Sequence, residues 1–277
     1  MGKIKGSCRK LELAIIEKNT SVNPYEFDTD SNGFPVFTRK NITFLQALIE
    51  NDSDYRISYD YDNEKFESSY AGLLEKYGVS KDPIIMEGIV KSIDKFNATH
   101  LASEGPSGGG RGIKLTVGAI LQIEDLEDKL RNKDDNIVVE LAHAVKNQTG
   151  KNKVNFSFAT KFCAYTSLGA LKEDNYCIYD TVVQNILPYY IYIYLNDDGY
   201  YRTNRNGKNC SIIEEKYKTS TDYEGYRKLI DRLIDSIEED INYRIRYKDF
   251  DNLLWYYFKG DDSRIDRAMR CLPIKKR

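Results

Sequence analysis

Between Lys153 and Leu195 the chain reads KVNFSFATKFCAYTSLGALKEDNYCIYDTVVQNILPYYIYIYL, two long apolar runs that each carry one charged residue. Runs this apolar must be covered on most sides, so the fold has to build a core around them. Lys161 lies inside the first run. Asp180 opens the second, nineteen positions later. Phe158, Phe162 and Tyr165 recur at helical spacing around the lysine and predict a helix over 158–168. A loop is expected over 169–177. Asp180 then stands where a helix N-cap would, ahead of Val182, Val183, Ile186 and Leu187. Pro188 either kinks or ends that helix. The tyrosine-rich residues 189–195 read equally well as strand or helix.

Each charged residue has a plain structural reading. Lys161 would be a lysine that lays its stem on the core and lifts its amine to water. Asp180 would be an ordinary cap. Their pairing also has a chemical reading. An amine held in apolar surroundings is a nucleophile when neutral, and a nearby carboxylate stabilises positive charge developing on a sugar.

Charge decides less than it first suggests. The net charge of −2 counts against a simple nucleic-acid binder. Yet from Leu141 to Lys172 there is no acid, while Lys146, Lys151, Lys153, Lys161 and Lys172 are all present. A local basic surface binds phosphates whatever the overall sign. The five cysteines are scattered, with no CxxC pair, and two histidines are too few for a histidine-rich centre. No metal and no cofactor is therefore expected. No apolar run is long enough to span a bilayer and no signal peptide is read, so the expected setting is cytoplasmic, away from membranes.

Elsewhere the pattern is mainly helical. A mixed helical and strand region is expected over 1–102, with Tyr55, Ile57, Tyr59 and Tyr61 alternating as a half-buried strand. Asp82-Pro83 starts a helix with Ile85, Ile89, Ile93 and Phe96 on one face. Residues 103–112 form a Gly-rich loop flanked by Arg111 and Lys114. A helical region follows over 113–277, with helices at 116–130 and 135–147. Residues 196–209 read as a loop bearing Arg202, Arg205 and Lys208. Thr221 to Glu224 reads as a capping box for a helix reaching about Arg244, with Leu229, Leu233, Ile237 and Ile241 on one face. A further helix covers 248–258, and LPIKKR is a basic, frayed tail.

Over residues 135–195 the order helix, lysine-bearing hairpin, helix, loop, aspartate resembles the helix-hairpin-helix DNA glycosylase superfamily, in particular its 8-oxoguanine-glycosylase-like branch. Thr160-Lys161 matches the family's catalytic lysine, and Ile178-Tyr179-Asp180-Thr181 its aspartate. Where the family has Gly-x-Gly before the lysine, this chain has Ser157-Phe158-Ala159. The resemblance implies a mainly α fold: a helix-hairpin-helix glycosylase-like bundle with a small β component near the N-terminus. It implies a monomer that flips a modified base out of double-stranded DNA and excises it. Asp180 would stabilise the sugar cation or activate the nucleophile, and Lys161 would form a Schiff base, giving abasic-site lyase activity. Lys151, Lys153, Ser157, Ala159, Thr160 and Arg111 would contact DNA, and Tyr165, Tyr179 and Trp255 would line the base pocket. Relatives of this kind include bacterial anti-phage enzymes acting on modified phage DNA. The alternative is a non-catalytic module whose hairpin only grips phosphates.

Overall fold

Helices form where apolar residues recur at three- and four-residue spacing, and the computed structural model describes residues 27–51, 70–97, 101, 111–144, 154–259 and 261–275. Only those residues are described. The alternating tyrosines of 55–61 and most of the Gly-rich loop lie outside them. The chain is mainly helical and divides into two units that do not follow chain order. One comprises Met1–Ser53, Asp180–Lys216 and Lys228–Arg277. The other comprises Asp54–Tyr179 and Tyr217–Arg227.

The Asp54–Tyr179 unit holds α2 (Tyr70–Tyr77), α3 (Pro83–Asn97), α4 (Arg111–Gln122), α5 (Leu126–Arg131), α6 (Asp135–Ala142) and α7 (Phe156–Thr166), α1 belonging to the other unit. The start of α3 follows its sequence: Asp82 Oδ1 accepts from the amides of Ile84 and Ile85 at 2.8 and 3.2 Å. Ile89, Val90 and Ile93 are fully buried. The single helix expected over 116–130 is instead two. Helix α4 stops at Gln122, and Asp125, in the left-handed region (φ 50°), is the N-cap of α5. That turn points Leu126 and Leu130 inward, and both are buried. Helix α6 is capped by Asp134, which accepts from the Asn136 amide.

Helix α7 does not end in the expected loop. It widens into a π-helical turn, Ser167–Leu171, packed against α2. Gly169 makes that approach possible, because a Cβ there would lie 2.9 Å from the Cβ of Leu74. Residues 172–179 then carry neither helix nor strand.

The other unit holds α1 (Arg39–Asn51), α8 (Thr181–Leu195), β1 (Tyr201–Thr203), β2 (Asn209–Ser211), most of α9 (Tyr223–Ile241), α10 (Tyr247–Phe258) and α11 (Asp262–Cys271). Its core is aromatic. Phe37 stacks on Phe250 with ring centroids 5.0 Å apart and meets Tyr190 edge-on at 5.5 Å. The hydroxyls turn to backbone: Tyr190 donates to the Pro35 carbonyl, and Tyr194 accepts from the Phe37 amide. Burial pushes the Tyr194 hydroxyl up to about 12, so it stays neutral at physiological pH.

Helix α8 runs straight through Pro188. A proline there removes the amide that would bond the carbonyl of Gln184, four residues back. The Ser211 hydroxyl of β2 donates to that carbonyl at 2.6 Å. Residues 189–195 are therefore helical because a neighbouring strand supplies the missing donor. Ser211→Ala should cost about 1–2 kcal/mol, since it orphans the carbonyl. In a Pro188→Ala background, where the helix amide returns, the same change should cost almost nothing. Urea unfolding of the four proteins reads this double-mutant cycle.

The β component also departs from expectation. Among the described residues, the paired strands are β1 and β2, antiparallel with Tyr201 opposite Ser211. They begin within 196–209, where a loop is expected; near the N-terminus the described residues hold an isolated Thr29–Pro35 bridge, and the strand expected over 55–61 lies outside them. Gly207, at φ 72°, closes the turn between them. The cap of α9 shifts by one residue as well. Asp222 Oδ1 accepts from the Gly225 amide, while Thr221, at φ 57°, turns its hydroxyl to His143.

Candidate functional site

Helix α7 is buried on every side. Each residue from Phe158 to Thr166 is buried, Lys161 among them at 3% exposure. That depth leaves the amine no surface to reach, so the water-seeking reading of Lys161 fails. Placing an ammonium in such surroundings costs several kcal/mol unless it is hydrogen-bonded or paired.

Asp180 belongs to the other unit, as the first residue of its second segment. It is the N-cap of α8: Oδ1 accepts from the Val183 amide at 3.0 Å, and its carbonyl accepts from the Gln184 amide at 2.8 Å. It is 3% exposed. The cap reading of Asp180 is therefore correct as far as it goes. The positive end of the α8 dipole also makes this a place where a carboxylate is at ease.

The eight residues before Asp180 are held by side chains of their own unit. The Ser167 hydroxyl donates to the Glu173 carbonyl at 2.7 Å. Asn175 donates to the Leu130 carbonyl at 3.2 Å. The Tyr223 hydroxyl accepts from the Cys177 amide at 3.0 Å and reaches the Cys177 carbonyl at 3.2 Å. Tyr226 donates to the Ile178 carbonyl at 2.7 Å. Thr160 Oγ1 accepts from the Tyr179 amide at 3.1 Å. This segment has no ladder of its own, so these bonds satisfy it. The neighbouring groups are kept neutral: burial pushes the Cys163 thiol and the Tyr176 and Tyr223 hydroxyls upward, with Asp134 and Asp135 adding to the effect on Cys163. Tyr223→Phe should therefore destabilise the protein by about 2–3 kcal/mol, leaving a buried amide and carbonyl without their partner. Thermal melting against wild type checks it.

The expected DNA contacts fare unequally. Lys151, Lys153 and the side chain of Arg111 lie outside the described residues. Ser157 keeps partial exposure, but Ala159 and Thr160 are sealed at 0%. The Ala159 amide donates to the Asn155 carbonyl at 3.0 Å inside the first turn of α7. Ser157-Phe158-Ala159 is thus helix and not a turn, and neither Ala159 nor Thr160 offers a group to a phosphate. Tyr179, at 1% exposure, packs edge-on between Phe156 (5.0 Å) and Tyr226 (5.3 Å) and is a core ring. Tyr165 sits at 9% exposure in the last turn of α7. Trp255, in α10 of the other unit, is half-buried and edge-on to Tyr256.

Sequence reasoning passes over Tyr223 and Tyr226 as pins, although Tyr223-x-x-Tyr226 at the start of an amphipathic helix is the signal for two tyrosines on one face. It also passes over a cavity of about 390 Å³ at the starts of α6 and α9, lined by Asp134, Asp135, Thr221, Asp222, Tyr223 and Glu224 among others. Its acids are already engaged. Asp134 and Asp222 are caps, and Arg227 grips both oxygens of Asp135 at 2.8 and 2.7 Å. Among the described residues, no group of three or more His, Cys, Asp or Glu side chains could hold a metal ion, and no helix is long and apolar enough to cross a membrane. Compared with protein-family models, curated proteins and solved structures, the chain matches none.

Proposed function

We propose that the chain is a DNA glycosylase that excises a modified base from double-stranded DNA, with modified phage DNA as the substrate class and defence as the role. The observation that carries this reading is Lys161, 3% exposed in a buried helix, at the family-like interval before Asp180. Buried ionisable groups that fold stability does not explain are candidates for chemistry.

The chemistry assigns each residue one task. As the bond between the sugar C1′ and the base nitrogen breaks, its electron pair leaves with the base and positive charge grows on the sugar. The Asp180 carboxylate stabilises that charge and accepts the proton of an attacking nucleophile. When the nucleophile is water, the product is an abasic site. When it is the neutral amine of Lys161, its addition to C1′ with loss of a proton gives an aminal; the C1′–O4′ bond then breaks, O4′ takes up a proton and an imine forms, and β-elimination breaks the C3′–O bond and releases the 3′ phosphate. The protein would act as a monomer in the cytoplasm, and neither step needs a cofactor. Base release is measured with Asp180→Asn, and strand nicking with Lys161→Gln. Wild-type levels in both variants, on a substrate that the wild-type protein cleaves, would remove the assignment.

A further inference from the structure

Two segments rich in cations are brought side by side in the unit that contains Asp180. From Gly199 to Ser211 the chain has three cations and no acid, and from Arg264 to Arg277 six cations and one acid, against −2 for the whole chain. Hydrogen bonds fasten the two together. The buried Asn209 side chain donates to the carbonyls of Met269 and Leu272 at 3.1 and 2.9 Å. The Tyr201 hydroxyl donates to the Pro273 carbonyl at 3.1 Å, and the Lys275 amide to Thr203 Oγ1 at 2.9 Å.

That staple sets the turn between β1 and β2 beside the outer face of α11. Lys208 reaches Asp266 at 2.9 Å and neutralises the one acid of the C-terminal segment. Arg270 follows Asp266 by one helical turn on the same face. Arg267 and Arg270, three residues apart, are both exposed, as is Arg205 at the turn. Arg264 is tied to Asp261 and the Tyr257 carbonyl, and the Arg267 guanidinium lies 5.9 Å from the centroid of the Phe34 ring while the residue stays exposed. The apolar side of α11 is spent: Ile265, Ala268 and Met269 are buried. Exposed Ile274 is too little apolar surface for a bilayer-binding helix, which needs a broad one. What remains exposed is Arg205 in the turn and Arg267 and Arg270 on α11, and guanidinium forks suit phosphate oxygens.

We infer that the β1–β2 turn and the outer face of α11 form a binding surface for the phosphate backbone of duplex DNA, with Arg205, Arg267 and Arg270 as its contacts. The inference rests on the DNA-directed reading above, but its test does not depend on base release. Binding of the full-length protein to a short fluorescent DNA duplex is followed by anisotropy across a salt series. The triple variant R205Q/R267Q/R270Q is expected to bind at least about tenfold more weakly near 0.1 M salt, with the log–log salt slope reduced by about 2 to 3. A control variant that removes three cations of the other unit, K76Q/K91Q/K114Q, is expected to leave affinity near wild type. The inference is overturned if the triple variant binds like wild type, if the control weakens binding as much, or if the wild-type protein binds anionic vesicles and no duplex. Arginine-dependent binding without any base release would uphold this surface and sink the glycosylase reading. Asp180-dependent base release with arginine-independent binding would do the reverse.

Discussion

Asp180→Asn is expected to slow base release about 100- to 1,000-fold, the range seen when one charge-stabilising group is removed from a transition state. The substitution isolates chemistry from folding. Asp180 Oδ1 caps α8 by accepting from the Val183 amide, and asparagine caps a helix about as well as aspartate. Stability should therefore stay within about 0.5 kcal/mol of wild type. Asp180→Ala removes the cap too and should cost a further ~1 kcal/mol. Single-turnover base release beside thermal melting separates the effects. A slow Asn variant with wild-type melting is the signature of a chemical role. An Asn variant that is fully active would leave Asp180 a cap and nothing more.

Lys161→Met is expected to abolish covalent trapping by borohydride. In that assay the imine between the lysine nitrogen and the sugar carbon accepts hydride from borohydride and becomes a stable amine, fixing protein to DNA. Methionine has similar length and fits an apolar helix, so the fold needs no water to replace the amine. Strand nicking should fall with trapping. Base release by water, which depends on Asp180, should persist. Gel shift of the trapped adduct under denaturing conditions reads the first effect, and chromatography of free bases the second. Trapping that survives in the methionine variant would place the nucleophile elsewhere.

Much of the Lys153–Leu195 stretch was legible before the fold was known. The spacing of Phe158, Phe162 and Tyr165 places Lys161 on a helix, and Asp180 occupies the cap position its sequence suggests. The depth of Lys161 was not legible, because periodicity reveals which face is apolar but not whether the opposite face is also covered. The run through Pro188 was undecidable for a similar reason. Whether a proline ends a helix depends on what meets the orphaned carbonyl, and here that is Ser211, distant in sequence. The β1–β2 hairpin was missed because three-residue strands are too short to show alternation. Its one local signal, Asn206-Gly207, is a recognised hairpin turn pair. Helix α11, which precedes the LPIKKR tail, goes unread in the sequence, although Asp261 caps it by accepting from the amides of Ser263 and Arg264. Between Gln122 and Leu126 no glycine or proline marks the break between α4 and α5, and Asp125 is a residue type tolerated in the left-handed region.

The proposed function requires that the protein sever a bond between a base and its sugar. The most direct measurement is mass spectrometry of the small-molecule fraction after incubating the wild-type protein with duplex DNAs that carry different modified bases, phage genomes included. The account predicts a free modified base from at least one of these DNAs, matched by abasic sites in the polymer and lost with Asp180→Asn. Intact bases in every DNA that the protein demonstrably binds would contradict it.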